Sequence, residues 1–171
     1  MMLLPDAASA ADRYLRFDGV PMKGDAMSFV NRLRRKGWTA IEAGDHVVTM
    51  KGTWIDLEGV TAVIVEDAGG KALTDVGALV PCQVSWVDMQ ATWMYIVETL
   101  SRSWGEPGQM ERRFRGTAPA GDPQKLLAVQ EGRCDWHADW TLDGGTATVK
   151  MVFLGSQFQV MVTMSVRPAT E

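Results

Sequence analysis

Residues 134 to 166 constrain this chain most. Cys134, Trp136, Ala138, Trp140 and Leu142 alternate with Asp135, His137, Asp139 and Thr141, and Asp143-Gly144-Gly145 then makes a turn. Ala147, Val149, Met151 and Phe153 alternate with Thr148 and Lys150, and Gly155-Ser156 turns again. Phe158, Val160, Val162, Met164 and Val166 follow with the same period. A period of two sends neighbouring side chains to opposite faces, and short turns join antiparallel neighbours. The segment therefore predicts a three-stranded antiparallel meander with one apolar face. Such a face must be covered, so the rest of the chain has to supply a helix.

The best cover lies upstream. Trp93, Ile96, Val97, Leu100 and Trp104 recur at helical spacing, Gly105 and Pro107 stop the run, and Ser85 or Asp88 can cap it. A second helix is expected from Ala26 to Lys36. Asp25 is its N-cap, Ala26, Phe29, Val30 and Leu33 share one face, and Gly37 ends it. Arg32, Arg34, Arg35 and Lys36 crowd its last turn, where cations meet the negative end of the helix dipole. Ahead of it, residues 14–19 alternate like a strand and Val20-Pro21 closes them.

Between the helices, strands are expected over 38–43, 46–55 and 60–65, with a turn at 56–59 and loop or a short element over 71–77. Residues 79–84 read as a strand with Pro81 inside, hence an edge strand or a bulge. Residues 111–115 are a further strand candidate, and Asp122-Pro123 opens a short helix reaching about Gln130. Phe29-Val30-x-x-Leu33 returns as Ile96-Val97-x-x-Leu100, and a glycine–tryptophan pair ends both helices. The expected fold class is α+β: an antiparallel sheet with two main helices on one face, built as a tandem β-α-β-β-β repeat. Its units are residues 13–78 and 79–167, packed as one domain.

Composition narrows function mainly by exclusion. The 171 residues are 46% hydrophobic and 22% charged, enough to bury a core without a metal or disulfide. A net charge of −4 argues against a nucleic-acid partner. No apolar run reaches the roughly 20 residues of a spanning helix. Residues 1–12 read either as a signal-peptide remnant, with Ala8-Ser9-Ala10 as a small-x-small cleavage pattern, or as a disordered Ala-rich terminus. Cys82 and Cys134 either pair as a disulfide in an exported protein or remain buried thiols.

Catalytic templates fail one after another. There is no G-x-S-x-G, no G-x-G-x-x-G and no C-x-x-C, and Gly69-Gly70-Lys71 lacks the flanking residues of a P-loop. Cys134 and His137 are three apart on a strand and diverge, so they make no metal pair. Asp135, His137 and Asp139 share the polar face, where a histidine lacks a water-excluding pocket for acid–base work. No catalytic residue, metal site or cofactor is therefore assigned. Four residues stand as binding candidates: Trp86, which has no assigned face; His46, beside a turn with Glu42 and Asp45 nearby; and Arg34 and Arg35. With Arg112, Arg113 and Arg115, the last two would form a patch for an anionic partner.

Phe17-Asp18-Gly19-Val20-Pro21, followed by a helix closing in Lys36-Gly37-Trp38, resembles a group of uncharacterised bacterial exported proteins. These carry an F-x-G-[IV]-P strand and a helix ending in K-G-[FW]. The resemblance covers about 25 residues at the N-terminal end. It implies export to the periplasm or beyond and repeated helix-on-sheet units. That plan is similar to the fold of the tandem-repeat β-lactamase inhibitory protein, which binds proteins on a concave sheet. The resulting expectation is a non-enzymatic binding module of the bacterial cell envelope, presenting an open sheet with aromatic residues to a protein or a carbohydrate. Its alternatives are a small-ligand carrier or enzyme with a cleft between the halves, lined by His46 and Glu42 or Asp45, and a structural subunit of an assembly.

Overall fold

The computed structural model describes residues 14–167. The expectations for residues 1–12, the cleavage pattern included, lie outside the described residues.

The chain opens with a small hairpin, β1 (Arg16–Phe17) and β2 (Val20–Pro21), turning at Asp18-Gly19. Asp-Gly suits a two-residue turn because both positions take positive φ, here 49° and 75°. Helix α1 (Ala26–Arg35) follows, with the Ser28 backbone N–H donating to Asp25 Oδ1 at 2.8 Å. Strands β3 (Thr39–Gly44), β4 (Val47–Trp54), β5 (Leu57–Glu66) and β6 (Leu73–Pro81) lead to helix α2 (Trp86–Trp104). Then come β7 (Gln109–Phe114), helix α3 (Asp122–Gln130), β8 (Cys134–Leu142), β9 (Gly145–Leu154) and β10 (Gln157–Val166).

Eight strands form one antiparallel sheet in the order β3-β4-β5-β6-β10-β9-β8-β7. From β3 the chain steps inward to β6. After α2 it restarts at the far edge with β7 and steps inward to β10, which closes on β6. The fold is α+β, with an antiparallel sheet and three helices among the described residues. The expected strand at 79–84 is corrected: β6 begins at Leu73 and lies inside the sheet between β5 and β10. Pro81 is tolerated because it is the last residue of the strand, where its missing N–H interrupts no further ladder.

A row of directly paired residues crosses all eight strands: Ala40, Met50, Ala62, Ala78, Val162, Val149, Ala138 and Met110. Paired residues share a face, and this row is buried from Met50 to Ala138. Its small residues Ala62, Ala78 and Ala138 leave depth for large side chains from the helices. Phe29, Val30 and Leu33 of α1 and Met89, Trp93, Ile96 and Leu100 of α2 join the strands in one core. Helix α2 starts at Trp86, two turns before the apolar run that announces it. Ser85 caps it by accepting from the Asp88 N–H at 3.2 Å, while Asp88 accepts from the Gln83 N–H at 2.8 Å.

Candidate functional site

Two clefts flank the β1–β2 hairpin, and Tyr14 lines both. The larger, about 1140 Å³, lies where the two halves of the sheet meet at one end. Its residues come from the segment after β2, the β5–β6 connection, the β8–β9 turn and the end of β10. Backbone bonds hold these walls together: Ala26 N–H to Lys71 O at 2.9 Å, Leu73 N–H to Gly24 O at 3.0 Å, and Arg167 N–H to Gly144 O at 2.9 Å. Met22 and Leu73, both buried, and half-buried Val166 make an apolar floor.

Charge at this cleft is unevenly committed. Asp25 holds the start of α1 and also accepts from the Ser28 hydroxyl at 2.8 Å. Asp67 Oδ1 accepts the backbone N–H groups of Lys71 at 3.1 Å and Ala72 at 3.3 Å. The Ser28 N–H lowers the Asp25 pKa and the Lys71 N–H lowers that of Asp67, so both carboxylates stay ionised and tied to their turns. Lys23 sits over the Tyr14 ring, 5.2 Å from its centroid, and Arg167 reaches the Leu142 carbonyl at 3.4 Å. Lys71 Nζ has no partner among the described residues.

The smaller cleft, about 710 Å³, lies between the tips of the β1–β2 and β4–β5 hairpins and the end of α2, with Trp104 and Ser103 in its wall. The β4–β5 turn is strained: Ile55 and Asp56 have φ of 46° and 63°. The Tyr95 hydroxyl donates to the Ile55 carbonyl at 2.7 Å and pins that turn to α2.

The residues singled out in the sequence are scattered. Trp86 is corrected from a surface candidate to a core residue, 3% exposed, because it is the first residue of α2 and continues its buried stripe. It packs edge-on against Trp136 at 5.1 Å and beside Phe114 at 5.5 Å, with Lys125 Nζ 5.4 Å from its ring centroid. Trp93 and Trp136 complete this cluster, and the Arg112 guanidinium caps both, 5.2 and 5.5 Å from their ring centroids. The buried indole N–H groups of Trp93 and Trp136 have no conventional acceptor among the described residues.

His46 occupies the β3–β4 turn at φ 62°, with Nδ1 3.3 Å from Glu66 Oε1. Neither His46 nor Glu42 nor Asp45 lines either of these two clefts, which other residues build. Arg34 and Arg35 are exposed at the end of α1, which leads directly into edge strand β3. Arg112 and Arg113 lie on β7, and Arg115 follows it, at the opposite edge. Arg113 is 3.1 Å from Glu111 and Arg115 is 3.0 Å from Asp135. The strand order thus keeps the two basic groups from forming one patch.

Cys82 and Cys134 are both free, and the disulfide alternative is corrected. Cys82 follows β6 and Cys134 opens β8, with β10 and β9 between them. Three strand spacings are roughly 14 Å, twice the Cα separation of about 7 Å that a disulfide spans at most.

His137 does share a face with Asp135 and Asp139, but its partners differ from the expected trio. Nδ1 lies 2.8 Å from Asp139 and Nε2 lies 3.3 Å from Glu111, while Asp135 turns to Arg115. Glu111 was not legible as a partner, because it arrives through β7 pairing at the register Glu111–His137. The cluster lies on the face away from the core, outside both clefts. Among the described residues, no group of three His, Cys, Asp or Glu is placed to hold a metal ion, and no helix is long and apolar enough to cross a membrane. The Lys23, Lys71 and Arg167 grouping was also missed. The β6–β10 pairing and the bridge of Asp25 with Ala72 bring these distant positions together.

No protein-family model matches the chain, and no curated protein or solved structure matches it either.

Proposed function

We propose that the protein is a non-enzymatic ligand-binding module of the bacterial cell envelope, a carrier holding a small molecule in the larger cleft. One observation carries this reading. The cleft joins both halves of the chain over an apolar floor, and the Asp25 and Asp67 carboxylates lining it are bound into local turns. Both histidines lie outside it, and its apolar floor with polar groups at the rim suits holding a small molecule. The envelope assignment rests on the resemblance of Phe17–Pro21 and Lys36–Trp38 to exported proteins.

In this reading the chain is a tandem duplication. The expected β-α-β-β-β unit is redrawn, because a boundary between 78 and 79 would cut β6: the unit becomes a helix followed by four strands, with α1 and α2 on one face of the sheet and α3 as an insertion in the second copy. The strand order, inward from each edge to the β6–β10 seam, supports it. A second reading, docking of a protein on the opposite face, draws on Val63, Leu79 and Met161. These form a half-buried apolar strip bordered by Thr61, Thr163 and Lys150. It lacks the aromatic anchors expected from the sequence, because six of the seven tryptophans are buried in the core and Trp104 is half-buried.

Thermal-shift screening of a small-molecule library against the wild type and Ala72→Trp tests the carrier reading. Ala72→Trp places a bulky ring in the cleft. Compounds that stabilise the wild type are expected to lose their effect in the variant. Equal stabilisation of both proteins rules the cleft out. Fractionation of the native host tests the envelope assignment, and a cytosolic protein overturns it.

A further inference from the structure

Resting on that carrier reading, we propose that the ligand of the larger cleft is an anionic amphiphile: a carboxylate or phosphate head on a single apolar chain. The argument starts from which charges the fold leaves available. Three cations from three separate segments line the cleft: Lys23 after β2, Lys71 in the β5–β6 connection and Arg167 after β10. Sheet register brings two of these segments together. Ser165 pairs with Asp75, so two residues further along Arg167 comes level with Leu73, next to the loop that carries Lys71. The short bridge of Asp25 with Ala72 brings the Lys23 segment to the same rim.

Three carboxylates line the same cleft, but two are already used. Asp25 accepts from the Ser28 N–H and hydroxyl, and Asp67 accepts from two backbone N–H groups. Asp143, on the β8–β9 turn, alone remains without a partner among the described residues. The cations are less committed. Among the described residues the Lys71 side chain has no partner, that of Lys23 makes only a ring contact, and that of Arg167 makes one long bond to a carbonyl. The formal charges balance, three against three, but a ligand meets more uncommitted cationic donors than uncommitted carboxylates at the rim, with apolar surface from Leu73 and Val166 below them. An acid head on an apolar chain satisfies both at once, while a neutral polar ligand leaves the floor unused. The volume, about 1140 Å³, admits a ten-carbon chain.

Calorimetry below the micelle-forming concentration tests this with four probes sharing one chain: decanoate, decyl phosphate, decanol and decyltrimethylammonium. Decanoate or decyl phosphate is expected to bind at least tenfold more tightly than decanol, and the tighter of the two names the head group. The preference should shrink as salt screens the rim. Lys71→Gln with Arg167→Gln, both on exposed residues, should weaken the anionic probe about tenfold and leave decanol unchanged. Asp143→Asn should tighten it. Equal binding of decanol, or tightest binding of the cationic probe, overturns the anionic class and leaves the carrier reading standing. Anion binding untouched by the double variant places the head elsewhere and overturns the site. Binding of none of the four overturns both.

Discussion

Cys82 and Cys134 show how much of a residue's chemistry is set by what surrounds it. Burial pushes both thiols up to about 11 from an ordinary 9.0, because a thiolate in an apolar surrounding loses its hydration. A raised acid favours its neutral form in the folded state. The associated stability is therefore intact below 9.0 and falls as pH rises from there toward 11. Iodoacetamide should label both cysteines slowly at pH 8 and rapidly once denaturant is added, as mass spectrometry of quenched samples would show. Rapid labelling of the native protein at pH 8 contradicts this. Gly145 is a second case. Its φ is 152°, and a Cβ there would lie 1.9 Å from the Ser165 carbonyl oxygen, so this position needs glycine for close backbone approach. In the sequence it is merely the second glycine of a turn.

Helices announce themselves in this chain more clearly than hairpins do. The caps of α1 and α2 follow from Asp25, Ser85, Gly37 and Gly105, because an N-cap needs a side-chain acceptor and a helix stop favours a residue free to take positive φ. The β4–β5 turn is harder to read. Asp56 and Gly59 suggest a turn at 56–59, but the chain reverses at Ile55-Asp56, where a β-branched residue takes positive φ. Two tertiary contacts hold it: Ile55 packs against the core, and Tyr95 of α2 bonds its carbonyl at 2.7 Å. Tyr95→Phe is expected to cost about 1 kcal/mol in urea denaturation and to leave the helix content by circular dichroism unchanged. No loss of stability would mean that packing alone holds the turn. Similarly, β6 was split in the sequence by its polar Thr74-Asp75. Asp75 is accommodated inside the sheet because Ser165 of β10 donates its hydroxyl to it at 2.5 Å.

At the scale of the whole molecule, the β6–β10 seam decides the behaviour. Val76, Ala78 and Val80 pair with Met164, Val162 and Val160, all buried in a core that also receives α1 and α2. Neither half covers its inner strand alone, so unfolding should be a single transition, with tryptophan fluorescence and far-UV circular dichroism coinciding in urea. Two separated midpoints would show that the halves are independent. The sequence by itself determined the α+β class, helices α1 and α2 with their caps, and the meander of β8, β9 and β10. These depend on periodicity and on residues a few positions apart. Tertiary structure alone decided the strand order, the opposite-edge placement of the two basic groups, the separation of Cys82 from Cys134, the burial of Trp86 and the assembly of the cleft. Each of these depends on which distant strands pair, and hydrophobic burial and hydrogen bonding reward that pairing only once the chain has closed on itself.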